Sequence, residues 1–281
     1  MTANAPLLDI SLITHSGQPV DTEVAREFMQ ATLENIVQTE LEAIEAELAE
    51  KGRRIRALLE PETLPTLTEP QLLGLLRTVF ATRRRAKQIL AGIGIEPLKA
   101  AIGELLYSTG PVESRFQQFV DTMTGYVGDV RLLRPKKSAD SRAKQSAEEA
   151  ALTENVFCDL GSELLHFTNP EEYWLWVRWV WDPKAGTGAM PLVTMEECNL
   201  FGRTVGETYI KVGVATVFIK ATGEAAGFFR GVYGVDVFLA CVYAVYMYTT
   251  LRLRMTQEFN KVVPQMPELM RRILGVWKMD I

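Results

Sequence analysis

Between Asp21 and Leu59 apolar side chains fall at Val24, Phe28, Ile36, Val37, Leu41, Ile44, Leu48 and Ile55, mostly three or four residues apart, with acids and amides between them. That spacing lays one apolar stripe along a helix. A stripe this long has to be covered, by the rest of the chain or by a partner, so it commits the molecule to helix packing. It also sets the expectation of a docked N-terminal helix, in a homodimer or against another protein. Gly52 interrupts the pattern, and "EPETLPTLTEP" (Glu60 to Pro70), with three prolines, closes it, which predicts a boundary near residue 62.

The helical period resumes after the prolines. Thr68 reads as an N-cap, with Pro70 in the first turn and Gln71 at the reciprocal capping position, ahead of "LLGLLRTVFATRRRAKQIL". "EPLKAAIGELLYSTGP" predicts a further helix, stopped by Gly110 and Pro111. Arg134 to Ala150 is polar and reads as an exposed loop whose last part begins a helix. Beyond it the spacing predicts helices over Asn155 to Phe167, Pro170 to Trp181, Met195 to Val212, Thr216 to Phe228 and Gly234 to Phe259, with β-branched clustering only at "VGVATVFI". An all-α fold follows. The predicted organisation is an N-terminal helical extension over 1–62, a helical domain over 63–260 and a tail over 261–281.

Composition narrows the partners. A net charge of −5 gives no general attraction to nucleic acid or to an anionic membrane surface, and "RRRAK" (Arg83 to Lys87) reads as a solvated helix face. Cys158, Cys198 and Cys241 are odd in number and form no CxxC pair, which argues against a disulfide framework or a structural zinc and fits a reducing cytoplasm. The N-terminus lacks the basic and apolar regions of a signal peptide. The most apolar run, Val237 to Tyr248, has 12 residues where a bilayer span needs about 20, so it reads as a buried helix and no membrane insertion is expected.

"DPKAGTG" (Asp182 to Gly188) invites comparison with the nucleotide loop of a SAM-dependent methyltransferase. That chemistry needs a strand before the turn and a second acid at a strand end about 20 residues on. Glu207 instead lies in a helical pattern, so the glycines read as a loop between two helices and the methyltransferase is a remote alternative.

Four segments, in order, resemble a known family. "LTEPQLLGLLRTVFATRRRAKQILAGIGIEPLKAAIGELLYSTGP" (Leu67 to Pro111) resembles the start of a phycobiliprotein subunit; "EEYWLWVRWVW" resembles that family's bilin-bearing helix, with Tyr173, Val177 and Arg178 in similar register. "AGTGAM" is similar to the glycine turn that follows, and "GETYIKVGVAT" (Gly206 to Thr216) to the family's Arg-Glu-Thr-Tyr helix. The resemblance spans roughly residues 66 to 260. It implies a globin-like, phycobiliprotein-type domain and a non-enzymatic accessory role in linear tetrapyrrole (bilin) metabolism, like that of globins associated with bilin biosynthesis, through binding a bilin or an enzyme that handles it.

Within that resemblance, aligning Arg178 on the family's arginine puts Asn169 where the bilin-attaching cysteine belongs, so no thioether forms there. The family's arginine and aspartate, for a propionate and the pyrrole nitrogens, fall on Glu171 and Glu172. The acid is kept and the base is not. Glu172 then implies non-covalent binding of biliverdin or phycocyanobilin through charged hydrogen bonds, with Tyr173 and Trp174 on the same element. The same two glutamates alternatively serve only the first turn of a helix, where acids suit the dipole. His166, one turn before Asn169, reads as a helix-end histidine. No histidine lies in Met195 to Val212, where a haem ligand would stand.

No catalytic residue and no metal site is assigned. A ligand-free scaffold or regulatory globin is the second expectation. Four tryptophans (Trp174, Trp176, Trp179, Trp181) on one predicted helix exceed one core face, so Trp176 or Trp179 would face a ligand, a partner or the N-terminal extension.

Overall fold

A computed structural model describes residues 9–129, 142–227, 231–255 and 265–277. Among them are ten α-helices and no strand: α1 (Thr22–Leu33), α2 (Gln38–Leu59), α3 (Glu69–Thr78), α4 (Ala86–Ile93), α5 (Ile95–Tyr107), α6 (Val112–Asp129), α7 (Arg142–Thr168), α8 (Val205–Ala225), α9 (Gly234–Met255) and α10 (Met266–Leu274). The all-α expectation is met.

The N-terminal stripe breaks into two helices. Asp21 caps α1 by accepting the Val24 N–H at 3.1 Å, and α2 restarts at Gln38. On α2, Ile44, Leu48, Ile55 and Leu59 are fully buried against α7, α9 and α10 of the same chain, so the stripe is covered without a second copy. Gly52 lies inside α2 and does not interrupt it. The residue is small because a β-carbon there would collide with the Tyr233 hydroxyl. Thr68 and Gln71 behave as read: the Thr68 N–H donates to Gln71 Oε1 at 2.9 Å at the start of α3.

Helix α7 occupies the centre, against α6, α5 and α2; α8 lies on α6, α1 and α10 on α9. One hydrophobic cluster runs from Ile13 to Val276, so residues 261–281 contribute a packed helix, α10. Residues 134–141 of the expected polar loop lie outside the described residues, and from Arg142 the chain is helical. The expected helix at Met195 begins instead at Val205, because Thr204 accepts the Glu207 N–H at 3.0 Å as an N-cap. It then runs unbroken to Ala225 through the β-branched cluster, so no separate helix starts at Thr216. Before it, residues 193–199 are held by the N-terminal segment: the Asp21 N–H donates to Val193 O, Met195 N–H to Pro19 O and Asn199 N–H to Ile13 O, at 2.8–3.0 Å.

The largest correction concerns Pro170 to Trp181. The segment is not a helix; after a turn through 170–172 it has no regular secondary structure over 173–177 and turns again at 178–180, beside α7. Its polar groups are met by side chains of α7. His166 Nδ1 lies 2.8 Å from Tyr173 O, Ser162 Oγ accepts the Trp176 N–H at 2.6 Å, and Asp159 Oδ1 accepts the Arg178 N–H at 3.1 Å. Both neighbouring indoles are satisfied too, Trp174 Nε1 by Tyr209 O at 2.7 Å and Trp176 Nε1 by Trp181 O at 2.9 Å. Trp174, Trp176 and Trp181 are buried, although the Trp181 indole N–H finds no partner among the described residues, and half-buried Trp179 packs on Tyr243.

Replacing Ser162 by alanine removes the acceptor of a buried backbone N–H. Urea unfolding of Ser162→Ala is expected to give a loss of about 1–3 kcal/mol, the scale of one orphaned buried donor; an unchanged midpoint would refute the role given to Ser162.

Candidate functional site

Where α7 ends, the chain turns at Asn169, whose carbonyl accepts the N–H groups of Glu172 and Tyr173 at 3.2 and 3.0 Å. Arg56 of α2 donates Nε to the last carbonyl of α7, Thr168 O, at 2.9 Å. That turn, the end of α2, the end of α5, the start of α6 and the residues before α9 surround an open groove of about 1310 Å³. Ordinary small-molecule sites span about 300–1,000 Å³, so the opening has room for a sizeable ligand.

The groove carries opposite charges on different elements. Arg53 and Arg56 come from α2 and Arg115 from α6, whereas Glu171 and Glu172 come from the turn after α7 and Glu113 from the first turn of α6. Arg53 is held by Glu50 at 2.7 and 2.8 Å. Arg56 makes only its Thr168 bond among the described residues, which leaves its terminal nitrogens to the groove. Arg115 donates to the Leu106 carbonyl at 3.2 Å, also to that of Leu105, and to the Tyr173 hydroxyl at 3.0 Å, with its guanidinium 5.8 Å from that ring. Tyr107 and Tyr233 supply further aromatic lining.

Of the residues singled out from sequence, the fold brings Asn169, Glu171, Glu172 and Tyr173 together on this groove. Glu171 is exposed and Glu172 half-buried. Arg178 is not part of the groove: its Nε pairs with Asp159 Oδ2 at 3.1 Å. Burial, outweighing Arg178, pushes the Asp159 carboxyl up to about 7. Trp174 is buried on Tyr209, with ring centroids 4.8 Å apart, over Gly213, where a β-carbon would strike the indole.

His166 lies in the last turn of α7, as read, but it is buried and paired. It is 2 % exposed and sits behind the groove, with Nε2 2.9 Å from Asp236 Oδ2 and its ring edge-on to Tyr233 at 5.5 Å. Burial by itself lowers the proton affinity of an imidazole, and Lys51 adds to that. The Asp236 charge and hydrogen bond, with the Tyr173 carbonyl, outweigh both, and the pKa is raised.

Beside this pair lies a second one. Lys51 Nζ is 2.6 Å from Glu163 Oε2 and 3.3 Å from Leu274 O, and lies 4.3 Å over the Phe167 ring. Lys51, Glu163, Asp236, Arg56, Arg115 and Tyr233 were not singled out from sequence. One signal existed: Lys51 falls on the stripe between Leu48 and Ile55, and Asp159, Glu163 and His166 share one face of α7, so each had to be buried with a partner.

The glycine loop is structural. Asp182 Oδ1 accepts the N–H groups of Lys184 and Ala185 at 3.0 and 3.2 Å, and Asp182 N–H donates to Thr187 O at 2.7 Å, closing a tight turn. Gly186 has φ 65°, and a β-carbon on Gly188 would strike Val180 O. The loop joins the Trp-rich segment to a short 3-10 turn (Met190–Leu192), not two α-helices, and the strand a nucleotide loop needs is absent among the described residues. Among those residues no three His, Cys, Asp or Glu side chains gather to hold a metal, no cysteine is paired, and no helix is long and apolar enough to cross a membrane. Comparisons with protein-family models, curated proteins and solved structures find no match to the chain.

Lys51→Met would leave the Glu163 carboxylate buried without its partner, an expected loss of about 3–5 kcal/mol in denaturant unfolding. Lys51→Met with Glu163→Leu is expected to recover much of it; a double variant as damaged as the single would count against the pairing.

Proposed function

We propose that the protein is a non-enzymatic binding protein whose groove takes a linear tetrapyrrole of the biliverdin or phycocyanobilin kind without a covalent bond. The supporting observation is that one open groove is lined by both signs of charge, with Arg53, Arg56 and Arg115 from two helices and Glu171 and Glu172 from the turn after α7. A linear tetrapyrrole carries what such a groove recognises: two propionates for guanidinium groups, and pyrrole N–H donors for a carboxylate. Tyr107, Tyr173 and Tyr233 offer aromatic surface to the conjugated rings. No cysteine lines the groove, in keeping with Asn169 at the position that the phycobiliprotein resemblance aligns with the attachment site. That resemblance no longer rests on a bilin-bearing helix, since the segment is not a helix; a globin-like arrangement of the remaining helices is part of the same proposal.

Mixing the purified chain with biliverdin or phycocyanobilin is expected to shift the pigment's absorption band, and acidic urea is expected to release all of it. Glu172→Gln should weaken the complex by about 1.5–3 kcal/mol, the scale of a charged hydrogen bond, and Glu171→Gln, at an exposed position, by less. If saturating pigment gives no spectral change, the ligand reading fails and a scaffold acting through protein contacts takes its place. Pigment that stays on the denatured chain would instead require attachment through Cys158, Cys198 or Cys241.

A further inference from the structure

His166 stands between two residues of the groove. Its Nδ1 is 2.8 Å from the backbone carbonyl of Tyr173, its ring lies edge-on to Tyr233, and its Nε2 is 2.9 Å from Asp236 Oδ2. Both ring nitrogens thus face acceptors, a carbonyl oxygen and a carboxylate, and only the imidazolium can donate to both. A neutral ring has one proton for two acceptors. The carboxylate makes the stronger, charge-assisted bond and keeps it, so the lone pair of Nδ1 is left pointing at the Tyr173 carbonyl. Loss of the proton therefore acts on one place, the backbone of Tyr173. From there it reaches the ligand side directly, because the Tyr173 hydroxyl accepts from Arg115 Nη2 at 3.0 Å in the groove wall.

We propose that His166 is the positioning residue of the groove: its imidazolium holds the Tyr173–Arg115 wall in place, and ligand binding is linked to the proton on that ring. The inference rests on the reading of the groove as a ligand site. The surrounding charges are consistent with a ring that holds its proton. From α9 comes Asp236 and, just before it, Tyr233. From α2 comes Lys51, which opposes protonation, but it is paired with Glu163 of α7 at 2.6 Å; Glu45, also on α2, is pushed up by burial and by Asp236, and Arg56 of α2 acts on Tyr233. Asp236 alone touches the ring with a formal opposite charge. Because the folded pKa is raised, the protonated, wall-holding form prevails below it and is lost as pH rises through it.

Biliverdin titrations of the full chain from pH 5.5 to 9 test the linkage. The dissociation constant is expected to be flat at low pH and to weaken above the ring's pKa, by at most about tenfold per pH unit for one linked proton. His166→Gln should bind with little of that pH slope, and Asp236→Asn should move the transition to lower pH; equal slopes in native protein and His166→Gln overturn the proposal, since the pigment's own carboxyls titrate alike in both. A second readout needs no pigment and no variant. The chain has two histidines, His15 and His166, so the Cε1 proton of His166 can be followed by NMR while the Tyr173 ring signals are recorded. Tyr173 signals moving with the His166 titration support the coupling even where biliverdin binds at no pH, in which case only the ligand reading fails. A titrating His166 with unmoved Tyr173 signals overturns it.

Discussion

Four polar side chains on the buried face of α7 decide how the rest of the molecule is arranged. Asp159, Ser162, Glu163 and His166 are each at most 7 % exposed. Burying a charge or a hydrogen-bonding group without a partner costs several kcal/mol, so each forces another part of the chain to come to it. Asp159 and Ser162 bind the backbone of the Trp-rich segment, Glu163 fixes Lys51 of α2, and His166 joins Tyr173 to Asp236 of α9. Apolar contacts fill the core, but these bonds specify which surfaces meet.

The groove is a by-product of how that central helix stops. The Asn169 turn carries Glu171, Glu172 and Tyr173 away from the α7 axis, while Arg56 reaches over from α2 to the exposed carbonyl of Thr168. Cation and carboxylate are brought to the same opening by the capping of one helix end. The Lys51–Glu163 and His166–Asp236 pairs lie just behind, so the floor is tied together by contacts between α2, α7 and α9. The groove's charges come from α2, α6 and the turn after α7, so it is assembled only when the N-terminal helices have docked.

Much of this was legible at the level of single elements. Period and punctuation gave α5 and α9 close to their observed extents and the end of α2, whereas the helix read from Thr68 through Leu90 stops at Thr78 and restarts as α4 at Ala86; the acids and aromatics after Asn169 that line the groove could be named from sequence. The largest failure has a tertiary cause. Trp174 to Val177 is apolar and aromatic throughout, a pattern that a buried helix and a buried non-helical segment share, and the choice was made by Ser162, Asp159 and His166 on the preceding helix, beyond the reach of a local pattern. Thr204 and Glu207 held a readable cap that would have started α8 correctly. His166 reads correctly as a helix-end histidine, but nothing local reveals Asp236, 70 residues away, as its partner.

The sequence by itself determined that the chain is helical, where several helices begin or end, and that a long N-terminal stripe must be covered, because period, caps and prolines act over a few residues. Tertiary structure alone decided that the Trp-rich run is not a helix, that the stripe is covered within the same chain, and that arginines of α2 and α6 share a groove with the glutamates after α7. Those outcomes depend on where buried donors and acceptors find partners, and the partners are separated by tens to more than a hundred residues, as Lys51 is from Glu163.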